Sequence, residues 1–198
     1  LIPDISFKIG DLNNTLILKE KYNVLSSNFS FHYFFENSVR MNTILNNLSE
    51  NMTKEGYFYG ESFTKEKIRK LFKNKKIKEE KEEEEEGVFS RDNKNTIYGK
   101  RDYKEIWKIT KNFKDWDKPF SEISVKLYSI GTENVEYLID FKNLKKELPK
   151  YGLQFIEGPD DFENILKKDA FKLSEVEKVL SNLFSYFIIK KVEEKEVF

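Results

Sequence analysis

The sequence contains no cysteine and only one histidine, His32. Without cysteine the chain has no disulfide, no cysteine-ligated zinc and no thiol nucleophile. A single histidine does not supply a histidine cluster for a metal, and nothing resembles the nucleophile elbow of a serine hydrolase. The eight glycines are scattered without a G-x-G pair, so no phosphate-cradling or dinucleotide-binding loop is present in these residues.

An excess of charge of one sign is also missing. Lys and Arg number 35, and so do Asp and Glu, which argues against a protein that holds nucleic acid through an overall basic charge. Contact with RNA would need a local pocket or patch. No run of about 18 apolar residues is present, and no signal peptide is visible. The 198 residues suit a single domain.

The first third of the chain alternates strand and helix patterns, which predicts an α/β sheet with helical crossovers. The first predicted helix begins at Ser38 as its N-cap and has an apolar face of Met41, Ile44, Leu45, Leu48 and Met52. The other predicted elements are strands at Ile5–Asp11, at Tyr22–Phe29 as a buried strand and from Tyr57, and a helix over Thr64–Phe72.

A charged segment over residues 74–95 interrupts this pattern. Lys75–Lys78 is basic, and Glu79–Glu86 is almost entirely acidic. Such blocks bury too little apolar surface to offset the entropy of ordering, so we predict a disordered surface insertion. The segments that follow are rich in aromatic and β-branched residues and predict antiparallel strands at Glu105–Phe113, Ile123–Ile130 and Val135–Ile139.

The remaining residues carry clear boundary signals. Gly152 ends a predicted helix, and a capping box of Ser174 and Glu177 opens another that runs to about Phe184. The predicted elements in this part are a helix over Phe141–Tyr151, a strand over Leu153–Glu157, a short helix over Pro159–Lys168 and a final strand over Ser185–Lys190.

The segment Asn28–Glu36, N-F-S-F-H-Y-F-F-E, is the richest in chemistry. It follows the carboxyl end of a predicted strand, and ligands of open α/β sheets bind outside those ends. His32 and Tyr33 could hydrogen-bond and stack there, or His32 could be a bystander among core phenylalanines. Asp11 ends the preceding strand, where it could accept a hydrogen bond from an adenine amino group or simply form a turn.

This segment resembles the central motif of the cap guanine-N7 methyltransferases, cellular and viral. In that family a QF-x-x-HY-x-FE segment precedes a helix and a GG-x-F-x-G strand, like Tyr57–Gly60 here. Glu136–Ile139 is similar to the family's EF/EY element, and Ser185–Ile189 to its last strand. Phe7–Asp11 is similar to the strand before the adenine-binding aspartate. The matches follow the family's order over almost the whole chain.

The resemblance implies an α/β, Rossmann-like class I S-adenosylmethionine-dependent methyltransferase fold, here its C-terminal part, with an antiparallel β extension. It implies that the chain uses S-adenosyl-L-methionine to methylate N7 of the cap guanine, converting GpppRNA to m7GpppRNA. No acid–base residue is needed, because N7 has a free lone pair and orientation supplies the rate. The implied cofactor-binding residues are Asp11, Asn28, Phe29 and Tyr33.

The implied cap-guanine pocket consists of His32, Tyr33, Glu136 and Tyr186, with Phe187 as the alternative register of Tyr186. Glu136 suits this role because a carboxylate offers only acceptors and the guanine Watson–Crick edge offers N–H donors. Asn28 stands where the family has glutamine. The asparagine keeps the amide group but has a shorter side chain.

Two departures from the family leave other readings open. Its glycine-rich cofactor loop is absent before Asp11, where the chain opens on Leu1. We therefore expect the first strands to lie on a preceding piece and these residues alone to bind the cofactor poorly. The charged segment is an insertion, which the family tolerates as a surface loop. The resemblance also implies other capping-enzyme domains or an activating subunit as partners, in a nucleus or a cytoplasmic viral compartment.

Three alternatives are a degenerate fold that binds capped RNA or a capping partner without catalysis, a methyltransferase with another substrate, and an interaction module that docks a partner through its charge blocks. The basic residues between Lys65 and Lys76 either steer RNA phosphates or form a solvated helix face.

Overall fold

The computed structural model describes residues 10–74, 78–79, 89–102, 104–161 and 173–192. Its strands, numbered in chain order, form two β-sheets. The four-stranded sheet has the order β1 (Tyr22–Ser27), β2 (Met52–Phe63), β10 (Phe184–Lys191) and β9 (Leu153–Asp161). The six-stranded sheet has the order β3 (Lys78–Glu79), β4 (Phe89–Asn93), β5 (Thr96–Arg101), β6 (Lys104–Lys111), β7 (Ser121–Leu127) and β8 (Glu133–Leu138).

Four helices accompany the sheets in this part of the chain. They are α1 (Ser38–Asn51), α2 (Lys65–Lys73), α3 (Phe141–Glu147) and α4 (Glu175–Leu183). Short 3₁₀ helices lie at Phe31–Phe35 and Leu148–Tyr151. None of the helices within the described ranges is long and apolar enough to cross a membrane.

The predicted β-α-β crossover is confirmed. β1 and β2 are parallel neighbours, and α1 connects them with its predicted apolar face buried. The N-cap is Asn37 rather than the predicted Ser38, because the Asn37 side chain accepts a hydrogen bond from the Arg40 backbone N–H at 3.0 Å. Asn and Ser are both good N-caps, so composition did not distinguish the two neighbouring positions.

The prediction that Tyr22–Phe29 is a buried strand is wrong as to burial. β1 ends at Ser27 and pairs only with β2 in the described sheet, so it is an edge strand. Val24 is 64% exposed and Tyr22 is 40% exposed. The apolar composition of a strand therefore did not reveal which of its faces and edges are covered.

The antiparallel strands predicted after the charged segment are confirmed as β6, β7 and β8. Residues 89–93 form β4, paired with β5, so the backbone there is a strand and not the loop predicted for 74–95. β5 was not predicted, because its apolar run is only Ile97-Tyr98 before glycine and basic residues. Residues 75–77 and 80–88 of the predicted insertion lie outside the described residues.

The boundary signals of the later elements were reliable. Gly152 has a φ of 66° and ends the second 3₁₀ helix, and the Ser174–Glu177 capping box opens α4. The helix predicted at Pro159–Lys168 is wrong at its start, because residues 159–161 continue β9 along β10. Its remaining residues, 162–168, lie outside the described ranges, as do residues 5–9 of the first predicted strand; Gly10 and Asp11 belong to no strand.

The two sheets are joined where β2 and β8 end. Thr64 forms a parallel bridge with Ile139, and the Lys65 backbone N–H donates to the Ile139 carbonyl at 3.1 Å. The buried Lys65 ammonium donates to the Lys118 carbonyl at 2.5 Å and lies 3.6 Å from Asp140. These contacts hold β8 against the carboxyl end of β2, where a crevice forms.

Phe187 lies at the centre of the apolar core that α1 and α3 form with the four-stranded sheet, and it is completely buried. Its ring contacts those of Phe31, Phe141 and Phe155. It lies directly against Gly60 on the neighbouring strand, where an added Cβ would be 2.4 Å from Phe187 Cζ. The glycine is required there because the ring fills the space of a side chain.

We expect Gly60→Ala to lower the free energy of unfolding by about 1–3 kcal/mol, because the buried Phe187 ring must move. Gly10→Ala is the control, since its Cβ would meet only Leu16 side-chain atoms at 3.8 Å or more. Urea unfolding of the two variants measures the difference. Equal stability of both would contradict the packing role of Gly60.

Candidate functional site

His32 and Glu136 meet in the crevice between the two sheets. His32 lies in the 3₁₀ helix after β1, and Glu136 lies on β8, with His32 Nε2 3.5 Å from Glu136 Oε2. Their side chains are 2% and 13% exposed. Within the described residues, both imidazole nitrogens and Glu136 Oε2 are buried without a hydrogen-bond partner. Buried polar atoms are nearly always hydrogen-bonded, so three such atoms together indicate a place for a polar ligand.

Burial sets the protonation of this pair. Desolvation raises the pKa of the Glu136 carboxyl to about 7 and lowers the pKa of His32 to about 4. The imidazole is therefore neutral at pH 7, and the contact is not an ion pair. A ligand with N–H donors would favour the ionised carboxylate, because hydrogen bonds to the charged form stabilise it.

Tyr33 forms the exposed side of this site. Its ring centroid is 4.2 Å from that of His32, and the residue is 39% exposed. Burial, and then the charge of Glu136, raise the pKa of the Tyr33 hydroxyl. The local sequence explains the arrangement, because Phe31, Phe34 and Phe35 pack into or against the core and leave His32 and Tyr33 at the crevice.

A cavity of about 360 Å³ adjoins the buried pair, and Tyr33 belongs to its lining. It lies between the end of β1, helix α1 and the segment of residues 12–18. Its polar lining residues are Ser26, Ser27, Ser30, Tyr33, Asn47 and Asn51. The rest of the lining is mostly apolar and includes Leu16, Leu25, Phe34, Ile44, Leu48 and Phe58.

Two buried asparagines of α1 hold the segment over this cavity. The Leu16 N–H donates to Asn47 Oδ1 at 2.9 Å, and Asn51 Nδ2 donates to the Leu16 carbonyl at 2.6 Å. The Leu18 N–H donates to Asn51 Oδ1 at 2.7 Å. Sequence reasoning missed these residues. The available signal was a pair of amides four residues apart beside the apolar stripe of an amphipathic helix.

Of the four predicted cofactor residues, Tyr33 belongs to the lining of this cavity, and the other three are neighbours in the chain of lining residues. Asp11 is exposed and precedes Leu12 of the lining, and its carboxylate accepts hydrogen bonds from Asn13 and Asn14 at 2.9–3.0 Å. Asn28 and Phe29 are exposed and lie between Ser27 and Ser30 of the lining. Asp11 thus forms a turn, as one interpretation of the sequence predicted.

Phe29 has an unusual backbone conformation. Its φ is 52°, a left-handed value that is uncommon outside glycine, and its side chain is 52% exposed. The ring packs edge-on against Phe184 at 5.1 Å, and Phe184 stacks on Phe63 at 3.9 Å. Neither of these two partners was predicted as a site residue.

The structure distinguishes Tyr186 from its alternative, Phe187. Phe187 fills the core beneath Gly60 and is unavailable to a ligand. Tyr186 lies on the opposite face of β10 and pairs with Glu61 of β2, beside Tyr59, whose hydroxyl donates to Glu61. His32, Tyr33 and Glu136 thus share one site, and Tyr186 lies with Tyr59 and Glu61, which the sequence did not single out.

The fold is that of the S-adenosylmethionine-dependent methyltransferases. A methyltransferase of this class from Clostridium acetobutylicum superposes with a TM-score of 0.50 at 14% identity, over 92% of this chain and 63% of that chain. One from Mesorhizobium loti gives 0.51 at 10% identity, over 95% of this chain and 71% of that chain. The predicted Rossmann-like α/β fold with an antiparallel extension is confirmed.

Within this class, the chain belongs to the mRNA (guanine-N(7))-methyltransferase domain family, whose sequence profile matches residues 8–196. It is also 28% identical over 174 residues to a protein of Acanthamoeba polyphaga mimivirus named "Probable mRNA-capping enzyme". That match covers 82% of this chain and 14% of the viral protein. The chain therefore spans a small part of that relative.

We expect Glu136→Gln to stabilise the fold by about 1–3 kcal/mol above pH 7.5, because it removes a desolvated charge. The pKa of the Glu136 carboxyl in the folded protein, about 7, lies above the ordinary value of 4.5. The free-energy cost of burying the ionised carboxylate is therefore complete above pH 7 and disappears as the pH falls to about 4.5. The stabilisation by Glu136→Gln should disappear over the same pH range. His32 titrates in both proteins, so its contribution largely cancels.

Urea unfolding from pH 4.5 to pH 8 measures this difference. Glu133→Gln is the control, because this residue lies on the same strand with a side chain that is 43% exposed and paired with Lys108. Its effect should stay within about 1 kcal/mol at every pH. A Glu136→Gln effect that does not change with pH would show that the carboxyl is not perturbed by burial.

Proposed function

We propose that this chain forms the cap-guanine pocket and the adenosine side of the cofactor site of an mRNA cap guanine-N7 methyltransferase. The reaction transfers a methyl group from S-adenosyl-L-methionine to N7 of the guanine in GpppRNA. The observation that carries the proposal is the buried His32–Glu136 pair, with three polar atoms that lack partners beside the half-exposed Tyr33.

Guanine has the chemistry that these atoms need. Its Watson–Crick edge carries N–H donors on N1 and N2, and the Glu136 carboxylate accepts two hydrogen bonds. The neutral His32 can donate from one nitrogen and accept at the other. The Tyr33 ring offers a face for stacking, and we assign Tyr186 to the same pocket because β10 resembles the last strand of the family. His32 serves recognition and not proton transfer.

The cavity suits the adenosine part of the cofactor. Its volume of about 360 Å³ lies within the range of small-molecule pockets, and its lining is apolar with a few hydroxyls. Asp11 can accept the adenine amino group, because a carboxylate has about four acceptor positions and Asn13 and Asn14 occupy three. Asn28, Phe29 and Tyr33 complete this side. A G-x-G pair is absent from the chain, so we assign no residue to the methionine end.

Catalysis in this site consists of positioning. The bound cofactor supplies a methyl group on a sulfonium, and the lone pair of guanine N7 accepts it without loss of a proton. Tyr33 joins the two binding regions, so it sets their relative orientation, which is a large source of rate in a two-substrate reaction. The guanine ring becomes cationic during transfer, and the Glu136 carboxylate and the aromatic face stabilise that charge.

We expect Glu136→Ala to lower methyl transfer to GpppRNA at least tenfold at pH 8, because it removes charge-assisted hydrogen bonds worth about 1.5–3 kcal/mol. Transfer from labelled cofactor, with the longest native polypeptide that contains this chain, measures the effect. Glu133→Ala should leave the rate unchanged. In the unaltered protein the rate should fall as the pH drops below 7, because Glu136 becomes protonated.

The other outcomes identify the competing functions. Binding of GpppG without transfer would indicate a degenerate cap-binding protein. Transfer that survives Glu136→Ala would indicate a different substrate or a different pocket. Absence of both GpppG binding and methyl transfer would refute the proposal.

For the cofactor, we expect Asp11→Asn to weaken binding of S-adenosylhomocysteine about tenfold, the size of one charge-assisted hydrogen bond. The affinity for GpppG should not change. Asp115→Asn is the matched control, because Asp115 also caps a turn, through the Asp117 N–H at 2.9 Å. Calorimetry on the same polypeptide measures both. Equal losses of cofactor affinity in the two variants would show that Asp11 acts only as a turn residue.

A further inference from the structure

The loop between β6 and β7 interleaves lysines with aromatic residues, in the order K-N-F-K-D-W-D-K from Lys111 to Lys118. The Phe113 and Trp116 rings meet edge-on at 4.7 Å, and Trp116 packs 6.0 Å from Phe72 of α2. The two rings are half-buried, so the core anchors the loop and part of each ring remains at the surface.

Lys111 is held by these rings and not by a carboxylate. Its ammonium lies 5.5 Å from the Phe113 centroid and 5.7 Å from the Trp116 centroid. Among the described residues no acidic side chain forms an ion pair with it. A cation–π contact positions an ammonium without neutralising it, so its charge remains available to an anion.

Further lysines lie on this loop and on helix α2, which Trp116 contacts through Phe72. The exposed residues Lys70, Lys73, Lys114 and Lys118 form no ion pair within the described ranges. The loop from Lys111 to Lys118 carries three lysines and two aspartates. Asp117 pairs with Arg69 at 3.3 Å, and Asp115 accepts from the Asp117 backbone N–H at 2.9 Å. The chain as a whole is neutral, so this surface is a local basic patch of the kind that RNA contact would require.

The patch differs from the basic run predicted on the helix. Lys65 is buried between the sheets, Lys67 donates to the Phe184 carbonyl, and Arg69 pairs with Asp117. Lys75 and Lys76 lie outside the described residues. Within the described residues, Lys70 and Lys73 are the members of that run that contribute to the patch, because Lys65, Lys67 and Arg69 already have structural partners.

The patch is fixed close to the crevice. The Lys118 carbonyl accepts from the Lys65 ammonium at 2.5 Å and from the Ser121 hydroxyl at 3.2 Å. Ser121 pairs with Leu138, two residues along β8 from Glu136. Lys111 pairs with Ile123, which pairs with Glu136, so Lys111 lies two strand spacings, about 10 Å, across the sheet from the guanine site that we propose.

We propose that Lys111, Lys114, Phe113 and Trp116, with Lys70 and Lys73 of α2, bind the single-stranded RNA that follows the cap. This inference rests on the proposed function for the identity of the RNA. The lysines contact phosphates, and an exposed ring face stacks on a base, which is the combination that single-strand binding surfaces use. The aromatic residues favour RNA over an acidic peptide, which would need only the charges.

The test compares two double variants with the same change in charge. Lys111→Gln/Lys114→Gln alters the patch. Lys104→Gln/Lys126→Gln alters the opposite end of the same hairpin, where Lys126 lies over the Tyr128 ring at 4.5 Å in a similar cation–π contact. Fluorescence anisotropy measures binding of a labelled, uncapped single-stranded RNA of about 12 nucleotides at several salt concentrations.

We expect the patch variant to bind this RNA about tenfold more weakly and the control variant to bind within about twofold of the unaltered protein. The slope of log affinity against log salt should decrease by about 1.4 in the patch variant, about 0.7 for each lost phosphate contact. The affinity for the dinucleotide GpppG should be unchanged in both variants.

Tryptophan fluorescence supplies a second measurement. The chain has two tryptophans, and Trp107 is completely buried with its indole N–H bonded to the Val176 carbonyl. RNA should therefore quench Trp116 emission, and Trp116→Phe should abolish the quenching.

RNA binding at the patch would be contradicted by equal losses of RNA affinity in the two double variants, by an unchanged salt slope or by unquenched Trp116 emission. Polyglutamate that binds as tightly as the RNA would overturn the assignment to RNA. If RNA binds at the patch while GpppG does not bind at all, the patch stands and the proposed function fails.

Discussion

The arrangement of the crevice depends on a buried cation at the junction of the two sheets. Lys65 connects β2 to the end of β8 through its backbone N–H, and its ammonium bonds the Lys118 carbonyl beside Asp140. A buried ammonium without such partners would be very costly, so the surrounding oxygens are tightly constrained. Because β8 is held in this way, Glu136 lies against the turn that carries His32.

The site itself opposes folding. Glu136 and His32 are buried without the hydrogen bonds that would compensate their desolvation, and the pKa of each is displaced toward the neutral form. Such perturbed groups are concentrated at functional sites because a ligand supplies the missing partners. The aromatic core beneath, with Phe31 and Phe187 at its centre, provides the stability that allows this local deficit.

The neutral overall charge and the proposed role in RNA capping are compatible, because recognition is local. The proposed guanine pocket presents a carboxyl and an imidazole toward the base, where a general positive charge would serve no purpose. The lysines of the 111–118 loop lie beyond it, positioned by aromatic rings. A chain with 35 basic and 35 acidic residues can therefore carry both an acidic pocket and a basic patch.

The sequence by itself determined what depends on neighbours within a few residues. Helical periodicity located α1 and α2, the Ser174 capping box and Gly152 marked helix ends, and alternating patterns predicted the antiparallel strands. The motif N-F-S-F-H-Y-F-F-E was enough to indicate the family, because its spacing reflects one turn and one strand end.

Only the tertiary structure decided what depends on contacts between distant parts of the chain. Tyr186 and Phe187 are equivalent in sequence, but a shift of one residue turns a strand side chain to the other face, and Gly60 admits only the Phe187 ring. The exposed position of β1, the Asn47–Asn51 contacts with Leu16 and the structural partners of Lys65 are likewise set by packing between segments that are far apart in the chain. Local patterns carry no information about such partners.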